Sequence, residues 1–86
     1  MKAAVEWKKT AIDELASIWS SANSTDRRAI TAAAREIDEL LKADAPAQGE
    51  SREGDRRIMF VAPLAATFRI DPCSFKVEVL RLTRYS

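Results

Sequence analysis

Three arginines, Arg52, Arg56 and Arg57, stand directly before an apolar run in the stretch GESREGDRRIMFVAPL, residues 49–64. A loop needs only to be hydrated, and lysine with glutamate would serve that purpose. Arginine instead offers a planar fork of donors that fits phosphates and carboxylates. Of the seven basic residues in 50–86, only Lys76 is a lysine. We therefore expect an anion-binding surface in this half of the chain, although an arginine-rich genome is an alternative explanation.

Composition limits the classes of protein that these arginines can serve. The 86 residues carry 14 basic and 13 acidic side chains, so net charge gives no argument for nucleic-acid binding. The balance is uneven, with 7 basic and 8 acidic residues in 1–49 but 7 and 5 in 50–86. This length predicts a single domain, residues 1–86.

Cysteine and histidine usage narrows the chemistry further. With Cys73 alone and no histidine, the chain has neither a disulfide framework nor an imidazole to activate a nucleophile. No apolar run approaches the length of a membrane span. We expect a cytoplasmic protein with no cofactor, no metal and no membrane contact.

The first half of the chain predicts one strand and two helices. Residues 3–7 alternate as in a strand, and helical spacing from Lys8 predicts a helix that ends near Ala22, with Thr10 and Asp13 as a capping pair. The segment Asn23-Ser24-Thr25 then breaks the pattern and supplies an N-cap for a second helix that ends at Pro46. The second helix carries the i,i+4 pairs Arg35/Glu39 and Asp38/Lys42 on its polar face. The apolar positions are Ile12, Leu15, Ile18, Trp19 and Ala22 in the first helix, and Ile30, Ala33, Ala34, Ile37, Leu40 and Leu41 in the second.

In the second half the apolar period falls to two. Residues 44–55 form a loop, and three strands follow, the last two joined by a turn at Asp71-Pro72-Cys73-Ser74. The order of elements is β-α-α-β-β-β. This order predicts an α+β fold in which a helical hairpin packs on an antiparallel sheet.

The ordered set of segments resembles the RelE/ParE superfamily, the toxins of type II toxin–antitoxin modules, over nearly the whole chain. No single segment is specific for this superfamily, but the ordered set in a chain of this length is much more so. The segments are Val5-Glu6-Trp7, Ala11 to Leu15, Ile37-Asp38 to Leu41, Pro46 through Gly49-Glu50-Ser51-Arg52 to Arg57, and Pro63-Leu64 to Phe68-Arg69-Ile70.

This resemblance implies a curved sheet with helices behind it and a concave face in front. It also implies a cognate antitoxin that wraps this surface in a hetero-oligomer. Ribosome-dependent members cut mRNA in the ribosomal decoding site with basic and aromatic residues on the concave sheet, whereas other members poison DNA gyrase. The fold alone does not choose between these targets.

Strand alternation places the candidate site residues. If Ile58, Phe60, Ala66, Phe68 and Ile70 face the helices, Arg57, Thr67 and Arg69 face the other way, and Leu80 and Leu82 in the core would send Arg81, Thr83 and Tyr85 to the same side. The predicted catalytic set is Arg57, Arg69 and Arg81 as phosphate clamps, Tyr85 as stacking surface or proton carrier, and Glu50 as a weak candidate base. Arg52, Arg56 and Arg84 are the further candidates for RNA or phosphate binding.

Other interpretations of the same residues stay open. Outward arginines also serve solubility, Glu50, Arg52 and Arg56 fit a solvated loop, and Val77 and Val79 could replace Leu80 and Leu82 in the core. We interpret Trp7 and Trp19 as packing residues. An apolar groove beside the arginines is expected to receive an amphipathic helix of the antitoxin.

Two departures from the ribosome-dependent members weaken the case for mRNA cleavage. Residues 64–67 supply no arginine where the third strand of such members begins, and the chain ends at Ser86 without their basic and aromatic tail. Translation remains the preferred target at this point. The alternatives are a gyrase inhibitor and a catalytically degenerate binding module of the same fold.

Overall fold

The structure is a computed structural model that describes residues 3–52 and 54–86, with two helices on one side of a curved five-stranded sheet. Of the predicted domain 1–86, residues 1, 2 and 53 lie outside the described residues. No helix in these ranges is both long and apolar enough to cross a bilayer. The elements are β1 (Ala4–Trp7), α1 (Lys9–Ser20), α2 (Ser24–Asp44), a 3-10 turn (Ala45–Ala47), β2 (Glu50–Ser51), β3 (Arg56–Val61), β4 (Leu64–Asp71) and β5 (Lys76–Arg84).

The two helices differ in how they begin. The Asn23 side chain accepts a hydrogen bond of 2.8 Å from the N–H of Asp26, which confirms that the predicted segment 23–25 supplies the cap of α2. The predicted capping pair of α1 is wrong, because no side chain caps this helix and Asp13 instead accepts a bond of 2.8 Å from Nζ of Lys9. The helix α1 also ends at Ser20, before the predicted Ala22.

The sheet has the strand order β1-β5-β4-β3-β2. Strands β3, β4 and β5 pair antiparallel as predicted, and β2 pairs antiparallel to β3. The strand β1 pairs parallel to β5, with Val5 opposite Val77 and Trp7 opposite Val79. The sheet is therefore mixed. Alternation along a sequence indicates a strand but not its direction, so the parallel pair was not predicted, and neither was the short β2 within the expected loop.

The helix α2 supplies most of the helical core. Its residues Ile30, Ile37 and Leu41 are fully buried, as the apolar stripe predicted. The helix α1 packs mainly on β5, whereas α2 contacts β1, β3 and β4. Consequently α1 leaves large apolar side chains in solvent, with Ile12 50% and Trp19 42% exposed, although Trp19 was predicted to pack in the core or within the helical hairpin.

The register of β3 is opposite to the predicted one. Met59 is buried and Phe60 is 52% exposed, so the set Ile58, Phe60 and Ala62 does not face the helices. Both alternating sets of this strand are apolar, and the sequence could not decide between them. Because a slip by one residue turns every side chain over, Arg57 lies on the helix side together with Met59.

A bulge answers the register question that the sequence left open in β5. Thr67 pairs with Arg81 but Phe68 pairs with Val79, which leaves Leu80 as an extra residue. Val77, Val79 and Leu82 are therefore all buried, whereas Leu80 is only partly buried. The placement of Leu80 in the core is therefore wrong, whereas the alternative that Val77 and Val79 are core residues is confirmed.

Candidate functional site

The side of the sheet turned away from the helices, here called the outer face, carries a row of charged residues. Strand pairing places Arg56 of β3, Arg69 of β4 and Glu78 of β5 directly opposite one another. Side chains opposite each other on one face lie about 5 Å apart at Cβ. The outer face thus brings two arginines beside one carboxylate.

Glu78 holds Arg69. Nε of Arg69 donates to Oε1 of Glu78 at 3.1 Å, and Nζ of Lys8 lies 2.8 Å from Oε2. Glu78 is only 9% exposed. The hydrogen bond from Lys8 is the main reason, and that from Arg69 the second, that the pKa of Glu78 is lowered to about 2. This carboxylate is therefore ionised at neutral pH and pairs with the Arg69 guanidinium.

The network around Glu78 is balanced in charge. Glu6 pairs with Lys76 and with Lys8, and the hydrogen bond from Lys76 is the main reason that the pKa of Glu6 lies below its usual value. Asp55 adds a further carboxylate 3.9 Å from Nε of Arg69. Lys8, Arg69 and Lys76 thus face three carboxylates, and only Arg56 among the neighbouring cations makes no ion pair with a described residue.

Arg81 does not join Arg69, because it lies at the edge of the sheet. Its guanidinium binds the Glu14 carboxylate of α1 at 2.9 to 3.2 Å and lowers the pKa of that carboxyl. Glu14 also accepts the N–H of Leu82 at 2.8 Å. Since β1 pairs with β5 only as far as Val79, Glu14 covers the strand edge that β1 leaves open.

Arg57 stabilises the segment before β2. Its Nε donates to the carbonyl of Gln48 at 3.1 Å, and its second nitrogen donates to the carbonyl of Pro46 at 3.2 Å. The predicted convergence of Arg57, Arg69 and Arg81 on one phosphate is therefore absent, since each guanidinium has a different partner.

The remaining predicted residues divide between the outer face and other partners. Tyr85 lies on the outer face, edge-on to Phe60, with ring centroids 5.2 Å apart. Arg52 and Arg56 line an open depression of about 640 Å³, and Arg52 approaches Glu50 at 3.4 Å. Arg84 instead binds Asp26 of α2 at 2.9 Å.

A second surface was missed by sequence reasoning. The groove between α1 and α2, here called the hairpin groove, has an apolar floor that includes Ile12, Ala16 and Trp19 of α1 and Ala34 of α2. Arginines of α2 form its rim: Arg27, Arg28 and Arg35.

A signal for the hairpin groove was present in the sequence. The apolar residues of α1 form two adjacent stripes, one from Ala11 through Leu15 and Ile18, the other from Ile12 through Ala16 to Trp19. A helix that packs on one neighbour uses one such stripe. The second stripe indicates a second apolar surface.

The sequence matches no protein-family model, and no curated protein is significantly similar to it. Solved structures are similar in fold. The RelBE2 toxin–antitoxin complex from Mycobacterium tuberculosis superimposes with a TM-score of 0.69 at 18% identity, over 98% of this chain and 99% of that one. The chromosomal ParDE system from P. aeruginosa gives 0.68 at 20% identity, over 99% and 98%.

An archaeal relative in structure extends the same pattern. The RelE–RelB complex from Pyrococcus horikoshii gives a TM-score of 0.64 at 13% identity, over 100% of this chain and 98% of that one. The matched lengths leave no large part of this chain unaccounted for, and the element order agrees with the resemblance seen in the sequence. The chain therefore has the α+β fold of the RelE/ParE toxins.

Proposed function

We propose that this protein is the toxin of a type II toxin–antitoxin module, that a cognate antitoxin neutralises it, and that it acts by binding a protein target rather than by cutting RNA. The fold supports the first two parts, because solved structures that share it include toxin–antitoxin complexes. The pairing of the arginines supports the third part. Among the targets implied by the family resemblance, DNA gyrase is the one that requires no nuclease site.

The separation of the three arginines is the observation that carries this proposal. Cleaving RNA through its 2′-hydroxyl needs a proton acceptor, a proton donor and cations that meet the same phosphate. The chain has no histidine, and Arg57, Arg69 and Arg81 are held by a loop, by Glu78 and by Glu14. A phosphate would have to displace Glu78, a carboxylate whose pKa is lowered to about 2.

Ribosome-dependent mRNA cleavage is the second candidate, and one observation favours it. Arg56 makes no ion pair among the described residues and lines the outer-face depression with Arg52. Tyr85 and Phe60 expose rings on the same face, and aromatic rings beside cations are typical of single-strand binding. In this alternative, Arg56 would bind phosphate and Tyr85 would stack on a base.

The two candidates differ in which synthesis stops first. We would induce the protein in a bacterium with and without the neighbouring open reading frame, and follow incorporation of labelled amino acid and thymidine. We expect thymidine incorporation to fall first, with rescue by the neighbouring protein, and purified toxin to inhibit gyrase supercoiling. Both targets are cytoplasmic, so the proposal assigns the protein to that compartment.

A double variant sharpens the test. Arg56→Ala with Tyr85→Ala should leave growth inhibition unchanged if the target is a protein that does not use the outer face. Early loss of protein synthesis, abolished by this variant, would instead establish the mRNA-cleaving alternative. Absence of any growth defect at verified expression would overturn the toxin assignment itself.

A further inference from the structure

We propose that Glu78 determines which partners the outer face accepts, by holding Arg69 and Lys8 as an internal anion and thereby excluding the phosphates of RNA. Without this carboxylate, the face would offer unpaired cations beside exposed aromatic rings. The benefit of this exclusion rests on the proposed function, because a toxin that binds a protein target must not be captured by cellular RNA. The affinity for RNA can be measured whether or not the chain is a toxin.

The carboxylate of Glu78 takes up the donors that a phosphate would need. Nε of Arg69 donates to Oε1 at 3.1 Å, and Nζ of Lys8 lies 2.8 Å from Oε2. Both oxygens are therefore engaged by cations. Arginine and lysine bind carboxylate and phosphate oxygens with the same donors, so the two anions compete for the same place.

Glu78 is fixed more firmly than a partner on the surface would be. Strand pairing places it between Glu6 of β1 and Arg69 of β4. It is the only charged residue that is buried among those the structure describes. An exposed ion pair is weak and is screened by salt, whereas a buried carboxylate in the middle of the sheet stays in place. An approaching phosphate would meet this fixed negative charge and be repelled.

The position of Glu78 argues for a role besides packing. Its neighbours along β5, Val77 and Val79, are buried apolar residues, and glutamate is depleted in strands and seldom buried. A buried ion pair is often no more stabilising than apolar residues of similar volume. The carboxylate therefore calls for an explanation in terms of what it excludes, and the neighbouring arginines supply one.

The surroundings of Glu78 would form a surface for nucleic acid in its absence. Arg56 lies directly opposite Arg69 and makes no ion pair with a described residue. Phe60 and Tyr85 expose their rings on the same face. Cations beside aromatic stacking platforms bind single strands with little sequence preference. Glu78 is thus the residue that separates this face from an RNA-binding one.

The charge balance shows how much depends on this one carboxylate. Three cations of the cluster share three carboxylates, namely Lys8, Arg69 and Lys76 with Glu6, Asp55 and Glu78. The nearby Asp71 instead accepts the N–H of Cys73 at 2.9 Å, within its own turn. Neutralising Glu78 would leave Arg69 with only the more distant Asp55, at 3.9 Å. The cluster would then carry a net positive charge beside the unpaired Arg56.

Glu78→Gln tests the exclusion, because it keeps the shape of the side chain and removes its charge. One end of an amide is a donor, so Arg69 and Lys8 cannot both keep an acceptor. The probe is a fluorescein-labelled single-stranded RNA of about 12 nucleotides. It is titrated at pH 7 and about 0.1 M salt, and binding is followed by anisotropy. We expect the variant to bind about tenfold more tightly than the wild type, with an affinity that falls steeply as salt is added.

Glu14→Gln is the matched control, since it removes the same charge and releases Arg81 at the edge of the sheet instead. Its affinity for RNA should stay within about twofold of the wild type. Arg56→Ala added to Glu78→Gln should cancel most of the gain. An equal gain in the Glu14 and Glu78 variants would assign the effect to net charge and overturn the proposal. Wild-type protein that binds RNA as tightly as Glu78→Gln would do the same.

A measurement on the wild type covers the case in which Glu78→Gln does not fold, which circular dichroism would show. The Nε–H resonances of the arginines report on their partners when RNA is titrated into isotope-labelled protein. We expect the Arg69 resonance to stay unchanged even where that of Arg56 shifts, because Glu78 keeps its partner. A shift of the Arg69 resonance would show that phosphate displaces Glu78, and the proposal would then be wrong.

These results are separable from those that test the proposed function. If thymidine incorporation falls first but Glu78→Gln gains no affinity for RNA, the protein target stands and the role of Glu78 is refuted. If the wild-type protein arrests no growth, the toxin assignment fails. The comparison of the two RNA affinities still decides in that case whether Glu78 excludes nucleic acid.

Discussion

The outer face of the sheet and the hairpin groove both carry arginines, but they differ in how these arginines are paired. On the outer face, Arg69 shares Glu78 with Lys8 in a charge-balanced network. In the hairpin groove, Arg28 and Arg35 have no carboxylate partner among the described residues, and they border the exposed Trp19. Arginine content alone therefore does not identify a binding surface, since a guanidinium must also be free of an internal carboxylate.

The comparison predicts that removing a charged side chain from the outer-face network lowers stability more than removing an unpaired surface charge does. Glu78→Ala should have the largest effect and lower the melting temperature by several degrees, because it leaves Arg69 and Lys8 adjacent without the carboxylate that holds them. Thermal unfolding followed by circular dichroism measures this. Glu36→Ala is the control, since Glu36 is exposed and forms no ion pair in the described part of the chain. Equal losses in both variants would contradict the importance of the outer-face network.

Acid should weaken the outer face in a defined range of pH. The pKa of Glu78 is lowered from 4.5 to about 2 by Lys8 and Arg69, so its contribution to stability is complete above pH 4.5 and is lost as the pH falls toward 2. Glu6 and Glu14 shift in the same direction and add to this loss. Urea unfolding between pH 7 and pH 2.5 measures it. Glu78→Gln should show a shallower dependence, and an unchanged slope would refute the role of Glu78.

Within the groove itself, Arg27 is the rim arginine with a structural role. Arg27→Ala should cost about 1 kcal/mol of unfolding free energy, because it removes the cation over Trp19 and the donors to the last carbonyls of α1. Arg28→Ala is the matched control and should change stability by less than about 0.5 kcal/mol. Denaturant titration distinguishes the two. A neutral Arg27→Ala would mean that Trp19 is not held by this contact.

The smallest stability effect is expected for the groove arginines that have no carboxylate partner among the described residues. Arg28→Glu with Arg35→Glu should alter the unfolding free energy by no more than about 0.5 kcal/mol, because neither arginine has an internal partner to lose. The same denaturant titration measures this. A marked loss of stability would show that these arginines make contacts within the fold, and it would remove the contrast between the two faces.

Much of the fold was predictable because the relevant signals are local. Apolar spacing located both helices and the three strands of the second half, and the segment Asn23-Ser24-Thr25 indicated the start of α2. The register of β3 was not predictable, since Ile58 and Phe60 are as apolar as Met59 and Val61. Neither was the bulge at Leu80, which brings Val79 and Leu82 to the same side of β5.

The candidate site was less predictable than the fold. Arginine usage drew attention to charged residues of the sheet. The predicted phosphate site required Arg57 on the outer face, where the structure does not place it, and it required Arg69 and Arg81 to be free of carboxylates, which they are not. The carboxylates that hold two of them, Glu78 and Glu14, were not recognised. Arg35 was predicted to pair with Glu39, a pair that does not form among the described residues, and Arg28 was not singled out, because nothing local shows that an arginine borders an exposed tryptophan.

The sequence by itself determined the order of elements, apart from the short β2, and hence the RelE/ParE-like fold, because helical and strand periodicity are set by neighbours a few residues apart. Tertiary structure alone decided which arginines form ion pairs with carboxylates. Glu14 and Arg81 are 67 residues apart in the chain, and Glu78 meets Arg69 only through the register of two strands. An ion pair depends on a few ångströms of separation, and packing fixes that separation where composition cannot.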